Sequence, residues 1–330
     1  AAFNFVLEPS ANVRIFKTLQ NMYKEGGTSL PEGAPEGMLT QFATLYTRNS
    51  DIRGWVRIPD TSINYPIMQS QAGDNYVDYS RANFDRQYPA FGVPYGVPYF
   101  DSKAAFFSSQ SVNRSLVVYG NNVGDQMFGP LTQYTSLEFL REHPVIEMNT
   151  IFNNAQWKVF AVLYAGDPVL NNFDFTQADF SEESAFYGFV YELQRRSLYT
   201  FPEELTDFQD NDSLLLLTTS AEKQANFADA RIVVAARMIR HDEPRETDLS
   251  GVVMNEDTLM PVEWEEAHAT ESTTTTHSVT TRPVTPSATE STSPDDPNTS
   301  SSSDSAATDP TEPDTTESSS DTTQPESSGT

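Results

Sequence analysis

The sequence predicts a mainly β domain, a closed or nearly closed sheet with two helices before its first strand and a third inserted before the penultimate strand, followed by a coreless tail. Three observations carry this. Apolar residues recur at helical spacing up to Asn49, the period drops to two after Gly54, and from about Thr270 onward Ser, Thr, Asp, Glu and Pro dominate.

The first helix is predicted over Ala11 to Lys24, where Val13, Phe16, Leu19, Met22 and Tyr23 form one apolar stripe. A Gly/Pro-rich break at 26–35 ends it. The second is expected from about Glu36 to Asn49, with Met38, Leu39, Phe42, Leu45 and Tyr46 on one side.

Short strand-like runs then follow at Trp55–Ile58, Tyr65–Gln69, Val97–Phe100, Ser115–Tyr119, Val145–Met148 and Trp157–Tyr164, with turn residues such as Pro59-Asp60 and Asn153-Asn154 between them. Asp179 or Ser181 is placed to cap the inserted helix, which carries Phe186, Phe189, Val190 and Leu193 on one face and ends near Ser197. Two aliphatic strands, Ser213–Thr219 and Arg231–Ile239, close the domain around a polar loop.

The layout expected is therefore a short remnant over 1–10, a domain over 11–240, an irregular linker over 241–269 and a disordered tail over 270–330. From His241 onward there are 20 acidic residues against Arg245 and Arg282, which places about −18 of the net charge of −27 outside the domain. An acidic chain without a Lys/Arg-rich stripe lacks the cations whose counterion release drives nucleic-acid binding, so no nucleic-acid partner is expected. With no Cys in the chain, disulfides, Cys-ligated zinc and thiol nucleophiles are excluded. No cofactor or metal motif is present. No run of 18 apolar residues exists, so either the protein is soluble or an N-terminal anchor has been trimmed.

Several stretches occur together in a telling order: Asn49-Ser-Asp-Ile-Arg-Gly-Trp-Val-Arg-Ile-Pro, Thr61-Ser-Ile-Asn-Tyr-Pro-Ile-Met-Gln69, Asp74-Asn-Tyr and Gly96-Val-Pro-Tyr-Phe-Asp101. Val118-Tyr-Gly-Asn-Asn-Val, Met127-Phe-Gly-Pro-Leu131, the strand Leu214 to Ser220 and Arg231-Ile-Val-Val continue it. Over about residues 11 to 240 the chain resembles the class B sortases of Gram-positive bacteria.

The resemblance implies a sortase-type closed β-barrel and a location on the extracellular face of a Gram-positive membrane or wall. It also implies a scaffold for transpeptidation, in which a Cys holds the acyl group and passes it to an amine. Residue by residue, Asn121 stands at the family His, Ser220 at the family Cys and Arg231 at the family Arg. A second register puts Ala221 at the Cys position, but it breaks the aliphatic alignment of Leu215 to Leu217.

A hydroxyl needs an adjacent base to become a nucleophile, and an asparagine amide neither takes up nor releases a proton near neutral pH. Arg231 keeps its permanent charge and can still orient a carbonyl or carboxylate. The leading expectation is thus a catalytically inactive sortase-fold protein. It binds a peptide or surface-protein segment near Arg231 in cell-wall or pilus assembly, with peptidoglycan or other wall components as further candidate partners. The alternatives are a class B cysteine transpeptidase in a Cys-to-Ser, His-to-Asn inactive form, and a weak serine-dependent acyl transferase or hydrolase.

Other candidates read more simply as structure. His143 precedes Pro144 at a strand start, while His241, His268 and His277 follow the domain. Asp101, Asp125 and Asp229 sit among turn residues, and the cluster of Tyr88, Phe91, Tyr95, Tyr99 and Phe100 reads as packing around a Gly/Pro-rich turn before it reads as a peptide groove. The Ser/Thr/Pro tail has the composition of a solvated spacer, with Asn298-Thr-Ser fitting an N-glycosylation pattern and no sorting signal of its own.

Overall fold

In the computed structural model, which describes residues 2–70, 73, 76–88, 96–108 and 111–275, the first helix, α1 (Ala2–Glu25), lies against the barrel. Its apolar stripe explains the docking. Leu19 is fully buried, Tyr23 stacks on Trp55 with centroids 4.2 Å apart, and Phe16 meets the edge of Tyr65 at 4.9 Å. Gly26 ends the helix with φ at +65° and its N–H on the Met22 carbonyl, a left-handed stop that glycine adopts without a Cβ penalty. A short 3-10 turn, Thr40–Phe42, leads into α2 (Ala43–Arg48), so the second helix is shorter than its apolar pattern predicts.

Eight strands close the barrel: β1 (Ile52–Arg57), β2 (Asn64–Met68), β3 (Tyr99–Phe100), β4 (Ser115–Tyr119), β5 (Val145–Thr150), β6 (Gln156–Ala165), β7 (Leu214–Ser220) and β8 (Arg231–Met238). Around the barrel they run β1-β2-β3-β4-β7-β8-β6-β5 and back to β1. All pairs are antiparallel except β2 with β3 and β4 with β7. The mainly β, closed-barrel expectation therefore holds, with each expected strand present.

β7 shows why its sequence is a continuous apolar run and not an alternating one. Leu215 and Leu217 face the barrel interior, while Leu214 and Leu216 face outward onto the inserted helix α4 (Glu183–Arg196), through Phe186, Phe189, Val190 and Leu193. Both faces are covered, so both need apolar side chains. The expected caps of α4 are not used. Its N-cap is Glu182 without a side-chain bond, because Asp179 instead accepts a hydrogen bond from Asn113 Nδ2 at 2.6 Å.

The stretch 241–269 is not the irregular linker the sequence suggests. Leu249 and Val252 are buried, Val253–Met254 pairs with Tyr199–Thr200, and a helix, α6 (Val262–Thr275), starts within it and continues past Thr270. Its contacts are hydrogen bonds and single apolar anchors, which leave no periodic signature. Residues 276–330, most of the expected tail, lie outside the described residues, as do Phe91 and Tyr95 of the aromatic cluster. No helix among the described residues is long and apolar enough to cross a membrane.

Candidate functional site

The C-terminal end of β7 and the start of β8 place Ser220 directly opposite Arg231. Ser220 is exposed. The next residue, Ala221, is fully buried and donates its N–H to the Ala230 carbonyl at 2.7 Å, so of the two registers the structure presents Ser220, not Ala221, to solvent. A one-turn helix, α5 (Glu222–Ala225), and left-handed Asn226 and Asp229 then return the chain to β8.

β4 runs parallel to β7, and this brings residues 120–122 alongside Ser220. Gly120 N–H reaches the Thr218 carbonyl at 3.1 Å, Thr219 Oγ1 donates to the Gly120 carbonyl at 2.7 Å, and Asn122 Nδ2 donates to the Ser220 carbonyl at 2.8 Å. Asn121 Nδ2 donates to the Ser80 carbonyl at 2.7 Å. Gly96 closes over this contact with φ at +49°, and a Cβ there would lie 2.5 Å from the Ser80 oxygen.

Arg231 is oriented by two neighbours the sequence did not single out for this role. Its Nε donates to Thr218 Oγ1 at 3.2 Å, and its guanidinium lies 5.0 Å from the centre of the Tyr119 ring. Tyr119 in turn stacks on Tyr99 at 5.4 Å and donates its hydroxyl to Asp101 Oδ2 at 3.0 Å. Burial, and then the Asp101 charge, push the Tyr119 phenol well above its usual range, so it stays protonated as the donor. The signal for Tyr119 was its place before Gly120-Asn121, on the same sheet face as Arg231.

Two clefts meet at Ser220. One, of about 460 Å³, is bounded by Tyr119, Asp174, Phe175, Asp229, Arg231 and Glu263. The other, of about 650 Å³, is bounded by Asn121, Asn122, Thr132, Gln133 and Lys223. Ser220 thus borders one cleft together with Arg231 and the other together with Asn121. Two further hollows, of about 700 Å³ beside α4 and about 530 Å³ beside residues 202–205, contain none of the three.

The remaining candidates fall elsewhere. His143 packs its ring on Phe139 at 4.2 Å and closes the helix α3 (Leu137–Glu142) with its N–H. His241 follows the end of β8 remote from Arg231, His268 stacks on Trp264 at 4.0 Å, and His277 is outside the described residues. Asp101 is a partner of Tyr119, Asp125 lies in an exposed hairpin turn, and Asp229 borders the first cleft. Tyr88 accepts the Asp78 N–H, and Phe100 is buried. Among the described residues no group of three or more His, Cys, Asp or Glu side chains converges as a metal site.

No family model matches the chain. Sortase B of Staphylococcus aureus is 26% identical over 206 residues, 62% of this chain and 77% of its own length. Sortase B of Listeria monocytogenes is 24% identical over 196 residues, 59% of this chain and 72% of its own. The structure of Bacillus anthracis sortase B in complex with AAEK1 matches with a TM-score of 0.57 and 25% identity, covering 72% of this chain and all of that one. In sequence and in fold this chain is similar to the class B sortases. A Staphylococcus aureus sortase B-substrate complex shares the fold at a TM-score of 0.54 and 23% identity, over 72% of this chain and all of that one. In this sortase-like chain the barrel, the inserted helix and the cleft at the end of β7 are one connected arrangement: α4 covers the outer sheet face at Leu214 and Leu216 and leaves it open beyond Thr218.

Proposed function

We propose that this chain is a class B sortase scaffold of a Gram-positive cell surface that holds an extended peptide or surface-protein segment across Ser220 and Arg231 without turning it over. The observation that carries the reading is the Ser220–Arg231 register pair opening on a cleft in a chain that has no thiol. Arg231, fixed by Thr218 and Tyr119, supplies a permanent cation for a peptide carbonyl or carboxylate. Ser220 has no base beside it in the Asn121 amide, so binding stops short of acyl transfer. The resemblance to a transpeptidase scaffold supports a peptide as the occupant. Wall peptides bearing a free amine are the second candidate partner. The test is a binding screen on an array of extended pentapeptides: hits are expected to weaken about tenfold with Arg231→Ala, and an array with no hits would sink the reading.

The likeness to proteins named sortase B favours a second reading, an active cysteine transpeptidase carried here in a substituted form. An imidazole at position 121 could donate one N–H to the Ser80 carbonyl that Asn121 now uses, which would fix its tautomer and leave the other nitrogen for proton transfer. Restoring Ser220→Cys together with Asn121→His separates the two. Thiol-dependent cleavage of the array hits by the double variant selects the transpeptidase; hits that bind and stay intact select the binding protein.

A further inference from the structure

Beyond β8 the chain turns back and ties itself first to the end of α4. Asn255 Nδ2 and Thr258 Oγ1 both donate to the Ser197 carbonyl, at 2.9 and 3.1 Å, and Leu259 N–H reaches the Arg195 carbonyl at 2.9 Å. These are carbonyls that a helix end leaves without intrahelical partners. The strap then enters α6, whose first turn meets the loop between β6 and α4.

That meeting is reciprocal. Val262 N–H donates to Asn171 Oδ1 at 2.9 Å, Glu263 Oε1 accepts the Asp167 N–H at 2.7 Å, and Glu263 Oε2 accepts Asn171 Nδ2 at 2.9 Å. Gly166 makes room, since a Cβ there would lie 2.5 Å from the carboxylate. Trp264 anchors the turn by stacking on Tyr164 of β6 at 5.0 Å. The hydrogen bonds outweigh burial and hold the Glu263 carboxyl below its usual range, so the clamp is ionised at neutral pH.

The clamped loop is one wall of the Ser220–Arg231 cleft. Asp167, Asp174 and Phe175 line it. Its other fixings are the Arg196 bond to the Asn171 carbonyl at 3.2 Å, the Lys103–Asp174 ion pair at 3.1 Å, and Phe175 buried against the outer sheet face. Among the described residues, the α6 contacts are the ones that come from the chain after β8.

We infer that the C-terminal strap is part of the ligand site: Glu263 is a positioning residue that clamps the 166–171 segment through Asp167 N–H and Asn171, and so sets the width of the cleft over Ser220. The inference rests on the cleft being the peptide site, and its test uses no peptide, so the two can fail separately. In the full-length chain carrying Ser220→Cys as a reporter, the neutral probe methyl methanethiosulfonate forms a mixed disulfide with the thiolate and releases methanesulfinate. Its rate reads access to the cleft floor, while amide hydrogen exchange reads the wall.

Glu263→Ala is expected to speed exchange at residues 167–171 about tenfold and to raise the thiol rate several-fold, with β7 and β8 amides unchanged. Asn171→Ala, from the other side of the clamp, is expected to do the same. Glu263→Gln keeps an acceptor oxygen and is expected to recover part of both effects. Unchanged wall exchange and thiol rates in both alanine variants would overturn the inference. So would barrel amides that loosen together with the wall, since the strap would then be a general support.

Discussion

At the scale of single residues, the proposed binding function turns on what surrounds Arg231 and Ser220. Tyr119 carries two separable duties, its ring beneath the guanidinium and its hydroxyl on Asp101. A cation over an aromatic face contributes about 0.5–2 kcal/mol. Tyr119→Leu is therefore expected to weaken binding of array peptides roughly three- to tenfold, whereas Tyr119→Phe keeps the ring and most of the affinity. Equal losses in fluorescence titrations of the two variants would show that the Asp101 bond, not the ring, holds Arg231.

The neighbourhood of Asn121, Ser220 and Arg231 was legible from short motifs, because the ends of β4 and β7 and the start of β8 meet once the barrel closes. Thr218 and Tyr119 were not assigned a role, since which side chain supports an arginine depends on sheet order that no local spacing encodes. Ser80 was invisible for a stronger reason: it acts through its backbone carbonyl.

At the opposite end of β8, Arg237 is buried and paired with Glu243, which also receives Lys158. Burial alone would raise the Glu243 carboxyl, but hydrogen bonds from Arg237 and Lys158 outweigh it and bring it down to about 2. A carboxylate depressed on folding stabilises the fold fully above its unfolded value of 4.5, and this contribution is lost as pH falls from there toward about 2. Urea unfolding at pH 5 and pH 2.5 is expected to show a larger loss for the native chain than for Glu243→Gln. Equal losses would contradict the pairing.

At the scale of elements, the barrel strands were readable because a half-buried strand alternates and a doubly covered one does not. β7 is the informative case. Its outward Leu216 is fully buried under α4, so Leu216→Ala is expected to cost about 2–5 kcal/mol. The loss is checked by thermal or urea unfolding, and a cost near that of a surface substitution would mean that α4 does not seal that face.

The strap escaped the sequence reading because its attachment is polar and specific. Glu263 answers a backbone N–H and one amide side chain, and Trp264 meets the barrel by stacking on Tyr164. Neither repeats, so neither produces a period. The helix α6 begins where Pro261 offers its carbonyl to the N–H groups of Trp264 and Glu265, a start that only the docked loop makes sense of.

At the scale of the whole molecule, a sortase B fold is retained, and the clefts at the end of β7 are bordered by a hydroxyl, Ser220, and an amide, Asn121. The acidic balance lies mostly beyond the barrel. Of the carboxylates that line the cleft with Arg231, Asp174 pairs with Lys103 and Glu263 holds the wall, while Asp167, Glu222 and Asp229 line it as well. Among the described residues that line this cleft Arg231 is the one cation, which suits capture of a carbonyl or carboxylate more than proton transfer. The measurement that tests this most directly combines equilibrium binding of array peptides to the native chain with mass analysis of the same peptides after incubation. Peptides that bind, depend on Arg231 and are recovered intact are the expected result; peptides cleaved by the native chain would contradict it.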